Sequence, residues 1–328
     1  MAFLDYRLQA SAEYYSSTSH DVLTALSLLM TTGNGGGNPY VNAASLRNAG
    51  FELTATWRDQ VSSDFGYSIS ANVSHSENKL LSFGYGKTEQ YTDYTTTRVG
   101  QPIGMFYMIQ TDGIFQSLDE VNSYVSPTTG KPIQPNAKPG DLRYIDANND
   151  GTINTDDRVV CGSPWAKLEA GLQISANYKN FDFGLTGFGK FGNKAFNFNR
   201  WYQEGFQDCN SAPKNYDYWR PDNTGSKNPR LLYSDERNVY TYIDRWLEDG
   251  SFFKISSISA GYTLKVHNPR VKKYLESVHF TVSGQNLFTI TKYSGYDPDF
   301  QGSLFEPGMD FCTYPSPRSV IFSINAKF

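Results

Sequence analysis

Hydrophobic and polar residues alternate with a period of two along much of this chain. Between residues 4 and 14, Leu4, Tyr6, Leu8, Ala10, Ala12 and Tyr14 fall on one side of an extended backbone, and Asp5, Arg7, Gln9, Ser11 and Glu13 on the other. A helix would scatter those charges around its axis, whereas a strand collects them on one face. The pattern returns at residues 49–58, 65–73, 166–178, 257–264, 278–283 and 319–328, with Ile321 the one exception in the last run. These runs reach about 9–13 residues; soluble strands commonly have about 5–6, and strands that cross a bilayer at a tilt need about 9–11. Several apolar faces end in Tyr, Trp or Phe, as expected where amphipathic rings sit at two membrane interfaces. The longest apolar stretch, residues 25–30, is far short of the roughly 20 residues of a membrane helix.

Between the strands lie long polar segments, notably 111–164 and 196–250. A barrel that alternates short turns at one end with long loops at the other accounts for them, and a compact soluble domain does not. About nine or ten strands with two large loops are expected over residues 1–328. A β-sandwich, with one face of each sheet in a dry core, would show the same alternation, so strand length and aromatic ends carry the choice.

Composition fits this pattern. The hydrophobic fraction is 39% but the aromatic fraction is 15%, with 23 Tyr and 22 Phe, as for strands wet on one face and apolar on the other. A net charge of -4 makes nucleic acid or an anionic surface an unsuitable partner. Cys161, Cys209 and Cys312 have no metal-ligand spacing and are read as free thiols. No basic-then-apolar leader opens the sequence, as in a mature exported chain, a fragment or a cytoplasmic protein.

Ordered motifs then narrow the reading. They are residues 101–107 (QPIGMFY) followed by 111–116 (TDGIFQ), 139–144 (PGDLRY) leading into 146–151 (DANNDG), 218–223 (YWRPDN), 228–231 (NPRL), 247–255 (LEDGSFFKI), 284–289 (GQNLFT), 296–299 (YDPD) and 314–318 (YPSPR). Together they resemble the C-terminal region of SusC/RagA-like TonB-dependent outer-membrane proteins, over nearly the whole chain. Met108 stands where that family usually has a glycine, and Lys254 where an arginine is frequent. The resemblance implies an all-β chain, the C-terminal portion of a large antiparallel transmembrane β-barrel with long extracellular loops. The plug domain, signal peptide and earlier strands would lie outside it. It implies nutrient import in the outer membrane, of a glycan oligosaccharide or peptide, beneath a SusD-like surface lipoprotein and powered by TonB. Phe328, closing an alternating strand, resembles the terminal signal read by the outer-membrane barrel assembly machinery.

Candidate chemistry is sparse. Asp146, Asn148, Asp150, Thr152, Asn154 and Asp157 have the spacing of a twelve-position calcium loop with Gly151 at the turn, although Asp157 is shorter than the usual glutamate. A metal-free acidic turn fits the same residues. Calcium is therefore a candidate ligand, and no cofactor is required. Trp201, Tyr202, Tyr216, Tyr218, Trp219 and Trp246 offer flat apolar faces for sugars or peptides; packing within the loop or against a partner is the simpler role. His20, His75, His267 and His279 are scattered, and residues 33–38 are glycine-rich without the lysine of a phosphate loop, so no enzyme is expected. Two alternatives remain from sequence: a secreted β-sandwich carbohydrate-binding module with a structural calcium, and a β-rich glycoside hydrolase.

Overall fold

The computed structural model describes the chain except residues 1, 26–30, 32, 34–38, 206–214, 233–237, 239 and 241. Most of the 25–30 apolar stretch, residues 34–38 of the glycine-rich run and Cys209 lie outside the described residues. Nine strands form one open antiparallel sheet, the wall, in the order of the sequence. They are Ala2–Phe3, Leu8–Ala25, Tyr40–Gln60, Phe65–Ser82, Leu168–Tyr178, Phe181–Phe191, Phe252–Lys265, Ser277–Thr291 and Ser319–Lys327. No helix among the described residues is long and apolar enough to cross a membrane, which leaves crossing by strands open.

Two local expectations change. Residues 4–6 are a turn: Leu4, Asp5 and Tyr6 have φ of 53°, 53° and 65°, which breaks an extended run and folds Phe3 back beside Leu8. The strand Phe181–Phe191 was not foreseen, although Phe181, Phe183 and Leu185 alternate with Asp182, Gly184 and Thr186. Only Lys179 and Asn180 separate it from Leu168–Tyr178, with Lys179 in the left-handed region at φ 54°.

Register carries the alternation across the wall. Phe65 pairs with Tyr178, Tyr178 with Phe181, Phe181 with Tyr262, Tyr262 with Phe280 and Phe280 with Ile324. That aromatic row lies at the end where the connections are short: 4–7, 61–64, 179–180 and 266–276. The apolar band ends in a second aromatic pair, Tyr14 opposite Phe51. Between the rows the strand Leu168–Tyr178 has 11 residues, the length that crosses a bilayer at a tilt. The facing row is hydrophilic: Gln173 lies between Ser70 and Thr186, and Ser257 between Thr186 and Gln285.

Among the described residues no second sheet covers the apolar face, which argues against the sandwich. Phe322 and Ile324 are 76% and 69% exposed. The accessible surface is 19648 Å², against about 13,600 Å² for a compact folded chain of this mass. At the other end run the long connections, 26–39, 83–167, 192–251 and 292–318.

Segments 111–164 and 196–250 prove to be more than loops. Four short strands, Arg158–Gly162, Met105–Ile109, Thr95–Arg98 and Glu89–Tyr91, make one small sheet. Leu247–Asp249, Lys194–Asn197 and Met309–Asp310 make another, and Thr111–Ile114 pairs with Leu142–Tyr144. These elements enclose the main hydrophobic core: Phe106, Met108, Ile109, Leu142, Tyr144, Phe196, Phe198, Ile243, Trp246 and Met309. The core therefore sits in a cap on the long-connection end, not in the wall.

Candidate functional site

The cap is where the sequence motifs meet. Asp141 is 1% exposed and takes a two-pronged grip from Arg230, with Nε at 2.7 Å and Nη2 at 3.1 Å. Asn238 Nδ2 donates to the same carboxylate at 2.9 Å, while its Oδ1 accepts from the Leu142 amide at 2.8 Å. A buried carboxylate is tolerable only when paired and hydrogen-bonded in this way. Gly140 has φ +93°, and a side chain there would strike the Trp219 ring and Arg230. Trp219 is held over Gly140 by its own amide, which donates to Asn228 O at 2.9 Å, and by its Nε1, which donates to Gln116 Oε1 at 2.9 Å. Four motifs thus close on one point.

A second convergence joins the wall to the 292–318 connection. Lys254, 2% exposed, reaches Asp297 at 3.0 Å and Asp299 at 3.3 Å. The Ser316 amide also donates to Asp297, at 3.1 Å. Burial alone would raise the Asp297 carboxyl, but the amides of Asp299 and Ser316 and the Lys254 ammonium hold it below its ordinary value. Sequence reading noted Lys254 only as a stand-in for arginine; a lysine after two aromatics in a strand was the available signal for a buried partner.

Of the aromatic candidates, Trp246 is fully buried. Its Nε1 donates to Tyr240 O at 2.9 Å, and the guanidinium groups of Arg245 and Arg200 lie 5.1 and 5.7 Å from its ring. Glu204 bridges those arginines, at 2.8 Å from each. Trp219 is also buried, so neither ring has an open face. Trp201 is half-buried edge-on to Phe198, and Tyr218 half-buried beneath Arg220 at 4.8 Å. Tyr216 is half-buried beside Arg245, 3.4 Å from its hydroxyl, and burial pushes that hydroxyl up to about 12. Tyr202 is the exposed one of the set, its ring 6.0 Å from that of Phe198, which stacks on the exposed Phe311.

The acidic loop closes on itself. Asp146 accepts from the amides of Gly151 at 2.8 Å and Asp150 at 3.2 Å, and Asn148 Oδ1 accepts from Asp150 at 2.9 Å. Asp150 Oδ1 accepts from the Thr152 amide at 2.8 Å, and Asn154 Oδ1 from Asp156 at 2.7 Å. Asp157 is fully buried; its oxygens accept from Ala147 at 3.0 Å and Asn154 at 2.8 Å. Burial pushes its carboxyl up, offset in part by those amides. Gly151 at φ +86° supplies the turn. Carboxylate oxygens keep a further lone pair, so the donor set suits a hard cation. Among the described residues, no group of three or more His, Cys, Asp or Glu stands ready as a metal centre.

His75 meets the Lys167 carbonyl at 2.6 Å and His279 meets Asp182 at 2.8 Å, each in the wall. Phe328 lies just beyond the last strand, 89% exposed.

No family model matches the chain. TonB-dependent receptor P3 of Formosa agariphila is 28% identical over 345 residues, covering 100% of this chain and 33% of that protein. TonB-dependent receptor SusC of Bacteroides thetaiotaomicron is 24% identical over 341 residues, covering 99% of this chain and 31% of SusC. The chain spans about a third of the length of the curated relatives it matches. Among solved structures, the RagAB peptide transporter aligns with TM-score 0.75 at 19% identity over 98% of this chain and 33% of that one. The RagAB peptide importer in its open-open state gives TM-score 0.77 at 18% identity, over 100% of this chain and 33% of that one. In sequence along its length and in its open wall and cap, the chain is a SusC/RagA-like β-barrel segment.

Proposed function

We propose that this chain supplies part of the wall and the extracellular cap of a TonB-dependent importer in the outer membrane. It would carry a glycan oligosaccharide or a peptide inward, working with a SusD-like surface lipoprotein. The observation that carries this reading is the open sheet whose apolar face, edged by aromatic rows, stays uncovered while the core sits in the cap. Bulk water makes such a face costly, and hydrocarbon accepts it. The names of its relatives support the same activity. In the whole receptor, TonB would act through parts outside this chain, the wall would bound the lumen, and the cap would frame the mouth. No bond-making step is needed, so the activity is transport and not catalysis. Barrel assembly would recognise the last strand through Phe328, and calcium would be an optional occupant of the 146–157 loop.

Deleting the gene in its host and measuring uptake of labelled oligosaccharides and peptides tests this. Loss of uptake of at least one class, restored by the intact gene and abolished by a proton-gradient uncoupler, is the expected result. Unchanged uptake of every class overturns the reading.

A further inference from the structure

The short-connection end of the wall carries a charge imbalance that joining strands does not explain. The turns 4–7, 61–64 and 179–180 hold Asp5 with Arg7, Asp64 alone and Lys179 alone. The turn 266–276 is longer than the roughly two to five residues a hairpin needs. Together with the residue before it, it sets Lys265, Arg270, Lys272 and Lys273 against the single carboxylate of Glu276. In a chain of net charge -4 this is a local reversal of sign. All four cations are exposed, and none has a carboxylate partner among the described residues. Glu276 is taken by Lys327 of the last strand, at 2.8 Å.

The turn is built rather than loose. Asn268 Oδ1 accepts from the Arg270 amide at 3.0 Å, and its carbonyl accepts from the Lys272 amide at 2.8 Å. The Val271 carbonyl takes the amides of Tyr274 and Leu275, both at 2.9 Å. The Glu276 amide donates to Lys327 O at 2.7 Å, which ties the turn to the sheet. Apolar groups stand open among the cations. Tyr274 is 70% exposed, its ring 5.8 Å from the Lys273 ammonium, and Val271 and Leu264 are exposed beside it in the chain.

Depth gives the pattern its meaning. The row Tyr262–Phe280–Ile324 is followed three residues on by Lys265, Ser277 and Lys327, still in register. At about 3.3 Å per residue the step is about 10 Å along a tilted strand, from rings that mark the edge of hydrocarbon into the headgroup layer. A free anion would use the cations but not Tyr274, Val271 and Leu264. A lipid, anionic at its head and apolar beneath, uses both.

We infer that the 265–276 turn docks the wall on anionic phospholipid, with Lys265, Arg270, Lys272 and Lys273 on the headgroups and Tyr274 at the level of the upper acyl chains. The inference rests on the wall lying in lipid, as the import reading requires. Dispersed cations on a fluid surface act through charge, so no particular fork geometry is needed.

The test is native mass spectrometry of the whole detergent-solubilised receptor, titrated with phosphatidylglycerol or with phosphatidylethanolamine of the same acyl chains. Phosphatidylglycerol is expected to bind at least tenfold more tightly, and less so as salt is raised. The triple variant Arg270→Gln, Lys272→Gln, Lys273→Gln should lose most of that preference, and Arg270→Lys alone should keep it. Tyr274→Ser should weaken both lipids alike. Glycerol phosphate and a tetraglutamate peptide should not compete. Retention of the heat-modifiable barrel band shows that each variant is folded. A preference that survives the triple variant overturns the inference, as does competition by glycerol phosphate or by the peptide, which would mark a free-anion site or a protein partner. A receptor that needs no detergent would overturn the membrane reading and this inference with it; one that needs detergent but shows no preference overturns this inference alone.

Discussion

Lys254 shows how much one side chain holds in this molecule. Its ammonium is buried between Asp297 and Asp299, so removing it takes the cation from Asp297 and leaves Asp299 only Lys190, at 4.0 Å. Removing one partner of a buried pair costs about 3–5 kcal/mol, far more than a surface pair contributes. Lys254→Met is therefore expected to loosen the 292–318 connection and make it sensitive to protease in the folded receptor. Lys254→Arg should leave it resistant. The same group sets a pH dependence. Asp297 is held below its ordinary value, so its contribution is present above the unfolded carboxylate pKa of 3.8 and is lost as pH falls through the lower folded value. Protection of this connection should hold from pH 7 to about 4 and fail below that. Protection that fades near pH 6 would point to another group.

At the scale of elements, the wall was legible and the cap was not. Period-two runs announced the strands because each residue's face depends only on its own position. Tyr14 and Tyr178 read as aromatic ends from sequence and take those places. The turn at Leu4–Tyr6 was missed because alternation continues through it while three positive φ values interrupt the backbone. The cap core escaped because Phe106, Phe196, Trp246 and Met309 are brought together from distant segments, and no local period records that. Motif residues such as Asp141 and Arg230 were recognised as patterns, but their pairing across 89 positions was not. Trp246, grouped with possible ligand platforms, is fully buried. Trp246→Ala should cost about 3–5 kcal/mol in cap stability, seen as a lower first transition in thermal unfolding of the receptor. Tyr202→Ala should leave that transition in place. The 146–157 loop satisfies itself with backbone amides, so chelator treatment should leave the transition within a degree or two. A fall of several degrees restored by added calcium would show that the cation holds the loop.

At the scale of the whole molecule, the decisive fact is the inversion of its surfaces. A water-soluble chain of this length would cover its apolar sheet face, and this one leaves Phe322, Ile324 and the aromatic rows open while burying its core in the cap. In the proposed importer the wall would lie in lipid and the cap outside the cell. The measurement that bears on this most directly is fractionation of native host cells, with an antibody against the 196–250 segment applied to intact cells and to separated membranes. Surface labelling, and an outer-membrane band well above 36.9 kDa that shifts on heating, is the expected result. A soluble band of about this chain's own size, with intact cells unlabelled, would contradict the account.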